Sequence, residues 1–561
     1  MVKTDMLTFD LGSRSFTVGT DVPAAQKFFD QGIKWCFGFN QEEGLACFKK
    51  GLNQDPNCAM LHWGVAYAAG PFYNMPWNDF SEPEAIECTA FCRNYLNKAI
   101  ALFDSATPLE RALINALSLR VQKSNIVSKP EYDAWDYAYA NAMNQVNTDF
   151  PDNQFVMALC IEAMMTRTPW NLWNIKTGLP TEEADTDDAL KLCEHAIRLA
   201  DHLGEEQHPA ILHLHIHLLE MSPEPERALS SADRLFGLCP DAGHIQHMPA
   251  HIYVLSGDYE KAKAVSEAAI LADRKYLSYA GPYNFYTTAR CHDLHMMIHA
   301  CMMLGQFKPA MAAADEICEN LPPNVIDLKD KPFITGTMEG YFAMRMHVLV
   351  RFGKWQEIID VTMPEQVELY CVTTSMHHYA KTIALSVTAQ FDKADAEKKY
   401  FYESLERISP DRKLFNNSAL KVLAIGEKML LGEMEYHKDN YEVAFSYLRE
   451  SVKRYDNLHY SEPWPWMHPP RHALGALLLE QGHYEEAEEV YRVDLGLNDK
   501  APRCTQHKNN VWAMHGLVEC LKARNEEIER NLLQGILTEA LSKTDLAITS
   551  SCCCRKTVRT C

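Results

Sequence analysis

The sequence predicts an all-α solenoid of antiparallel helix pairs. Three observations carry that reading. Apolar residues recur at three- and four-residue spacing along nearly the whole chain, with few β-branched runs. Glycine (25) and proline (27) are neither abundant nor clustered in the 561 residues. Large, small and proline positions return with a spacing near 34 residues, the period of tetratricopeptide repeats. At roughly 150 residues per domain, the length alone would suggest three or four domains. A repeat array replaces them with one right-handed superhelix, in which each helix pair covers the next.

The elements follow in order. Residues 1–24 form an N-terminal segment, and the solenoid is expected over 25–545. Counted from Ala25, Phe28 stands at repeat position 4, Gly32 at 8, Trp35 at 11, Gly44 at 20, Phe48 at 24, Gly51 at 27 and Pro56 at 32. Small residues let two helices approach, aromatics fill the gap, and proline ends the second helix. A unit starting at Pro209 has Ala228 at 20, Ala232 at 24 and Pro240 at 32. One starting at Gly243 carries Gly257, Tyr259 and Ala262, and one starting at Cys291 carries Gly305, Phe307, Ala310 and Pro322. Gly353 and Trp355 mark a unit near Glu339, and Tyr441 and Ala444 another. Gly475, Gly482, Tyr484 and Ala487 mark a unit from His468, and Trp512 and Gly516 open a weaker one. Segments 71–84, 168–188, 277–290 and 460–470 break the period as loop insertions, which in a compact array tend to serve function. The Cys-rich tail 546–561 fits no repeat and is expected to fray.

Composition narrows the function classes. With 54 basic and 75 acidic residues, the net charge of −21 argues against a nucleic-acid or anionic-membrane binder. No run of about 18 apolar residues is present, so no membrane span is expected. The opening MVKTDMLTFDLGSRSF lacks a secretory pattern. The 18 cysteines then read as reduced thiols of a cytoplasmic protein; Cys36, Cys47, Cys160 and Cys193 fall on apolar helix faces. There is no Gly-rich phosphate loop, dinucleotide fingerprint, nucleophile elbow or CxxC pair.

The 23 histidines are the informative feature. In a tetratricopeptide unit, positions 2, 5 and 9 of the first helix form one stripe facing the concave groove. In three consecutive units, over 209–324, those positions hold Ala210, His213, His217; His244, His247, His251; and His292, His295, His299. Eight of nine are histidine, where roughly 0.4 would be expected from 23 in 561. Each helix carries a His-x3-His pair, and helices packed 8–10 Å apart let imidazoles from neighbours meet at one ion. The eight histidines are therefore candidate ligands for one or two transition-metal ions. Imidazole suits copper, iron or zinc. Nearby Met248, Met296, Met297, Met302 and Met303 favour copper, although helical methionine is ordinarily core packing. Glu220, Glu162 and Tyr253 are the candidate catalytic groups. Tyr283 and Tyr286 sit in the 277–290 insertion, which is placed to lid the groove. His347 and His472 read as packing with some capacity to extend the polar groove, and His377 and His378 as packing.

Several stretches carry a resemblance. QHPAILHLHIHLLEMSPEPERALSSADRLFGLCPDAGHIQHMPAHIYVLSGDYEKA (207–262), HDLHMMIHACMMLGQF and EPWPWMHPPRHALGALLLEQGHYEEAEEVYRVDL resemble a family of tetratricopeptide-repeat proteins, mostly bacterial, with GHxxHMPxHIY and HxxxH segments. The resemblance covers most of 25–520 and implies the fold more than a reaction. It carries over His213, His217, His244, His247, His251, His292 and His295, whereas His215 and His299 are particular to this chain. The combined expectation is a metal-dependent oxidoreductase acting on a small organic substrate. The alternatives are a protein-binding scaffold without catalysis, a metal-dependent hydrolase, and a metal storage or delivery protein.

Overall fold

The computed structural model describes residues 8–125, 128–328 and 331–556. Almost every element is helical; the strands among the described residues are two short antiparallel hairpins, Trp173–Asn174 with Leu179–Pro180 and Lys413–Leu414 with Asn417–Ser418. The chain divides into two compact units, Met1–Ile252 with Ala268–Arg290, and Tyr253–Glu267 with Cys291–Cys561.

The first unit opens on the pair Pro23–Phe37 and Gln41–Gln54. Pro23 starts the first helix, where its missing N–H is of no consequence. Asn40 caps the second by accepting from the Glu43 amide at 3.2 Å. The small repeat positions are places where helices touch. A Cβ on Gly32 would stand 2.7 Å from the Phe48 ring, one on Gly44 2.8 Å from the Gly32 carbonyl, and one on Gly51 2.6 Å from Leu61.

The backbone repeats the register in both units. The residue at repeat position 15 turns left-handed: Phe39 in the first pair, then Gly257, Gly305, Gly353 and Gly482. The next amide bonds back five residues, Asn40 to Trp35, Asp258 to Tyr253, Gln306 to Cys301, Lys354 to Leu349 and His483 to Leu478. This is the Schellman ending, which satisfies carbonyls orphaned at a helix C-terminus. Asn440 to Glu435 and Glu526 to Leu521 make the same bond, in repeats whose sequences are weaker.

In the second unit, Pro470–Glu480 and Tyr484–Asp494 form a pair followed by Val511–Ala523. Tyr491 lies between two glycines: a Cβ on Gly475 would stand 2.5 Å from its ring and one on Gly516 2.1 Å. Since Tyr491 is fully buried, its ring has no room to retreat. Gly516→Ala should therefore cost about 1–3 kcal/mol in urea unfolding, as overpacked cores do. An unchanged midpoint would mean the helices part readily.

Three local expectations change. The 277–290 insertion is half helix, because Tyr259–Ala280 runs on until Gly281 and Pro282 stop it and Thr287–Leu304 begins soon after. The helix expected from Gly243 is two, Gly243–His247 and Pro249–Ser256, because Pro249 has no N–H to continue the ladder. The tail is packed as far as it is described. Ser550, Ser551, Cys553 and Cys554 are buried, Arg351 Nη2 donates to the Ser551 carbonyl at 2.5 Å, and Arg555 pairs with Glu519 at 3.0 Å. A disulfide joins Cys552 and Cys554 there, while Cys36, Cys47, Cys160 and Cys193 are free and buried. Residues 557–561 lie outside the described residues. No helix among the described residues is long and apolar enough to cross a membrane.

Candidate metal centre

The helix Pro209–Glu220 carries His213 and His217 one turn apart, with Glu220 at its last position. Gly243–His247 brings His244 and His247, and Pro249–Ser256 brings His251. Gly243 is required where it stands: a Cβ would lie 1.9 Å from Asp273 Oδ1. The amide of His244 donates to the Tyr286 hydroxyl at 2.9 Å, which fixes the start of that short helix. Tyr283, by contrast, is exposed.

These five imidazoles form a continuous buried layer in the first unit, none more than 2% exposed. Ring centroids are 4.9 Å apart for His213 and His217, 5.0 Å for His213 and His244, 6.0 Å for His244 and His247, and 4.7 Å for His247 and His251. One ligand nitrogen from each of His213, His217 and His244 lies within 4.8 Å of the others. Burial, reinforced by the neighbouring imidazoles, pushes the pKa values of His213 and His217 well below the ordinary range. Both rings are therefore neutral at pH 7, the form that ligates.

Hydrogen bonds fix which nitrogen carries the lone pair. His213 Nδ1 donates to the Phe37 carbonyl at 2.8 Å. His217 Nδ1 donates to Glu220 Oε1 at 2.7 Å, and His251 Nδ1 to Glu220 Oε2 at 2.6 Å. With Nδ1 so engaged in all three rings, the nitrogen left to ligate is Nε2. His213 Nε2 faces His244 Nε2 at 3.2 Å, and His251 Nε2 faces His247 Nε2 at 2.7 Å. Two nitrogens held 2.0–2.1 Å from one tetrahedral ion stand about 3.4 Å apart, so the first spacing suits a shared ion. Outer bonds of this kind, from Nδ1–H to a carboxylate or backbone carbonyl, are the usual support of metal-ligating histidine.

The expected catalytic groups are placed differently. Both oxygens of Glu220 accept from imidazoles, His217 Nδ1 at 2.7 Å and His251 Nδ1 at 2.6 Å. Glu162 is buried, accepts from Thr166 Oγ1 at 2.8 Å and lies 3.5 Å from Arg120 Nη1, yet it lines the same small cavity as His213. Tyr253 belongs to the second unit, buried, with Lys261 Nζ over its ring at 5.1 Å. His292, His295 and His299 also belong to that unit and face different groups there. His292 lies 3.8 Å from Glu462, His295 Nε2 lies 2.9 Å from Met467 Sδ, and the His299 ring is 6.2 Å from that of His507. His347 faces His468 at 3.3 Å, and His472 donates to Asp494 at 2.9 Å, so both serve the second unit's core.

Sequence reasoning missed an aromatic wall. The Phe39 ring lies 4.4 Å from His213, 5.2 Å from His244 and 5.7 Å from His217; Tyr73 lies 5.1 Å from His217. The available signal was a phenylalanine at the repeat position where glycine turns left-handed. Phe39 has φ 55°, a conformation that costs an L-residue about 1–2 kcal/mol. Phe39→Ala should cost about 3–5 kcal/mol, and Phe39→Gly about 1 kcal/mol less because glycine relieves the turn. Equal losses in urea unfolding would show that the turn is unstrained.

No protein-family profile matches the chain, and no curated protein matches it. Solved structures with which it aligns include a human IFIT1 dimer with m7Gppp-AAAA, 12% identical over 93% of this chain and 90% of that one, at a TM-score of 0.29. Yeast Tom70 is 10% identical over 93% of this chain and 92% of that one, also at 0.29. Likenesses at these scores carry no argument about the site, and the fold rests on the helix pairs and their recurring turn. By those, each unit is built of antiparallel helix pairs of the tetratricopeptide-repeat kind.

Proposed function

We propose that the protein is a repeat-fold metalloprotein whose first unit holds a transition-metal ion on His213, His217 and His244. The observation that carries this reading is three buried imidazoles with ligand nitrogens within 4.8 Å of one another. Core packing alone does not explain rings turned nitrogen to nitrogen, His213 to His244 and His247 to His251. His247 and His251 form a neighbouring pair suited to a second ion, and Glu220 positions one histidine of each group. The remaining ligands of the sequence reading, His292, His295 and His299, belong to the second unit and are kept as candidate ligands there.

All-imidazole ligation suits copper, zinc or iron, and copper stays first in this proposal. A three-histidine ion leaves a coordination position for substrate. That supports a catalytic ion over a closed structural one, and an oxidoreductase on a small organic substrate is kept as the first reading, with a metal-dependent hydrolase as its alternative. When bound, the ion would supply Lewis acidity or redox chemistry; the chain's own residues hold it, fix the imidazole tautomers and exclude water with Phe39 and Tyr73.

Elemental analysis of the full chain after metal loading and desalting should find at least one transition-metal ion per chain. His213→Ala and His244→Ala should weaken binding by more than about 100-fold, beyond the 10–100-fold typical of an outer partner. Wild-type protein that takes up no metal would sink the proposal. Retained partner binding by such metal-free protein would instead favour a protein-binding scaffold, the common use of stacked helix pairs.

A further inference from the structure

The last helix, Glu527–Leu541, carries apolar residues on two opposite faces. It packs on Val511–Ala523, and Leu537 is buried. At about 100° per residue, Ile528 points the other way from Leu537. On that outer side Ile528 is 84% exposed, Leu532 69% and Ile536 52%. The three stand four residues apart, so they form one stripe about 80° wide. Gly535 lies beside them with no atom within 4 Å of where a Cβ would stand. The end of a repeat array ordinarily shows water a polar face, because no further repeat covers it. A helix that is apolar on both sides is one covered on both sides.

The pattern and its charges point to what covers it. The stripe is symmetric about Leu532, with an isoleucine four residues before and four after. A twofold axis through Leu532 would run two such helices antiparallel. Each Leu532 would meet its counterpart, and each Ile528 the other copy's Ile536, as a self-complementary interface requires. The acids along the stripe are already engaged: Glu539 pairs with Lys543 at 3.5 Å, and Glu529 with Arg492 at 2.6 Å. The face is thus locally balanced in a chain of net charge −21. It offers a charged partner little to read, while two like copies can meet there without repulsion. Size sets the strength. A 15-residue helix is about 22 Å long and 10 Å wide, so each copy covers roughly 200–300 Å². That is well short of the ~1,200 Å² total of a stable complex, and fits a reversible pairing.

We propose that the outer face of Glu527–Leu541 is a homodimer interface, in which a second copy of this chain lays the same helix antiparallel across it about Leu532. The pairing requires no metal and stands apart from the histidine layer of the first unit.

Sedimentation velocity on the full chain in chelator, from about 1 to 200 µM, should show monomer passing to dimer with a Kd of about 10–100 µM. Added salt should tighten the dimer, since it screens the mutual repulsion of two acidic chains and leaves apolar contact intact. Leu532→Glu and Leu532→Lys each set like charges face to face at the axis, and each should weaken pairing at least ~10-fold. Leu532 is largely exposed, so neither should unfold the unit. Mixed one to one, the two variants should pair again, because opposite charges then meet. Leu271→Glu, at an exposed apolar residue of the first unit, should leave pairing unchanged. A wild-type chain that stays monomeric throughout the range overturns the proposal and leaves the stripe to a different protein. So does a dimer that salt disrupts, one that Leu532→Glu leaves intact, one that Leu271→Glu weakens equally, or a mixture of the two Leu532 variants that fails to pair.

Discussion

Glu220→Ala should destabilise the first unit by about 3–5 kcal/mol, the loss typical when one partner of a buried charged network is removed. Glu220 is fully buried, and its two oxygens take the Nδ1–H groups of His217 and His251 at 2.7 and 2.6 Å. Alanine leaves both donors facing a void. Glu220→Gln should fall between, at about 1–3 kcal/mol, because its amide accepts through one oxygen only and strands one imidazole. Urea unfolding in chelator reads this directly. Metal affinity should fall about 10–100-fold in both variants, through lost orientation rather than a lost ligand. If Glu220→Ala unfolds at the wild-type midpoint, the carboxylate is not the clamp that sets the two tautomers. If instead it abolishes metal uptake while leaving stability intact, Glu220 is itself a ligand.

That arrangement shows what the sequence displayed and what it hid. The helix pairs were legible because close packing demands small residues at fixed intervals: Gly32, Gly44 and Gly51 each stand where a Cβ would collide. The histidine stripe was legible because helical spacing puts His213 and His217 on one face. The two short bonds of Glu220 to His217 and His251 were not, since its position on that stripe fits a base and an orienting group equally and His251 lies 31 residues away. Pro249 was visible as a breaker, yet the repeat period argued for one continuous helix, and the local rule prevailed. The stripe of Ile528, Leu532 and Ile536 was hidden too, because a spacing of four marks an apolar helix face and not whether anything covers it.

Acid should unfold the second unit between pH 6.5 and 4, with a steepness set by buried histidines away from the proposed ligands of the first unit. Burial lowers His347 to about 3 and His377, His437 and His472 to about 4. Unfolded, each would take a proton near 6.5. Below that pH the unfolded chain binds more protons than the folded one, so stability falls as pH falls until the folded values are reached. One such histidine contributes about 1.4 kcal/mol per pH unit, and four together about 5.5 kcal/mol per unit. Against a total stability of about 5–15 kcal/mol, one or two pH units suffice. Asp494 extends the loss below pH 4. Its pKa is held well under the carboxylate range by His472 and His507 against the opposing effect of burial, so its share is present at neutral pH and disappears as the unfolded carboxyl protonates near 4. Urea midpoints followed from pH 7.5 to 5 in chelator should drop steeply. His377→Leu should flatten the curve by about one histidine's share, since its Nδ1 has no partner to lose. A midpoint that stays level over that range would mean these imidazoles take up their protons in the folded state, through openings that the packed helix pairs do not show.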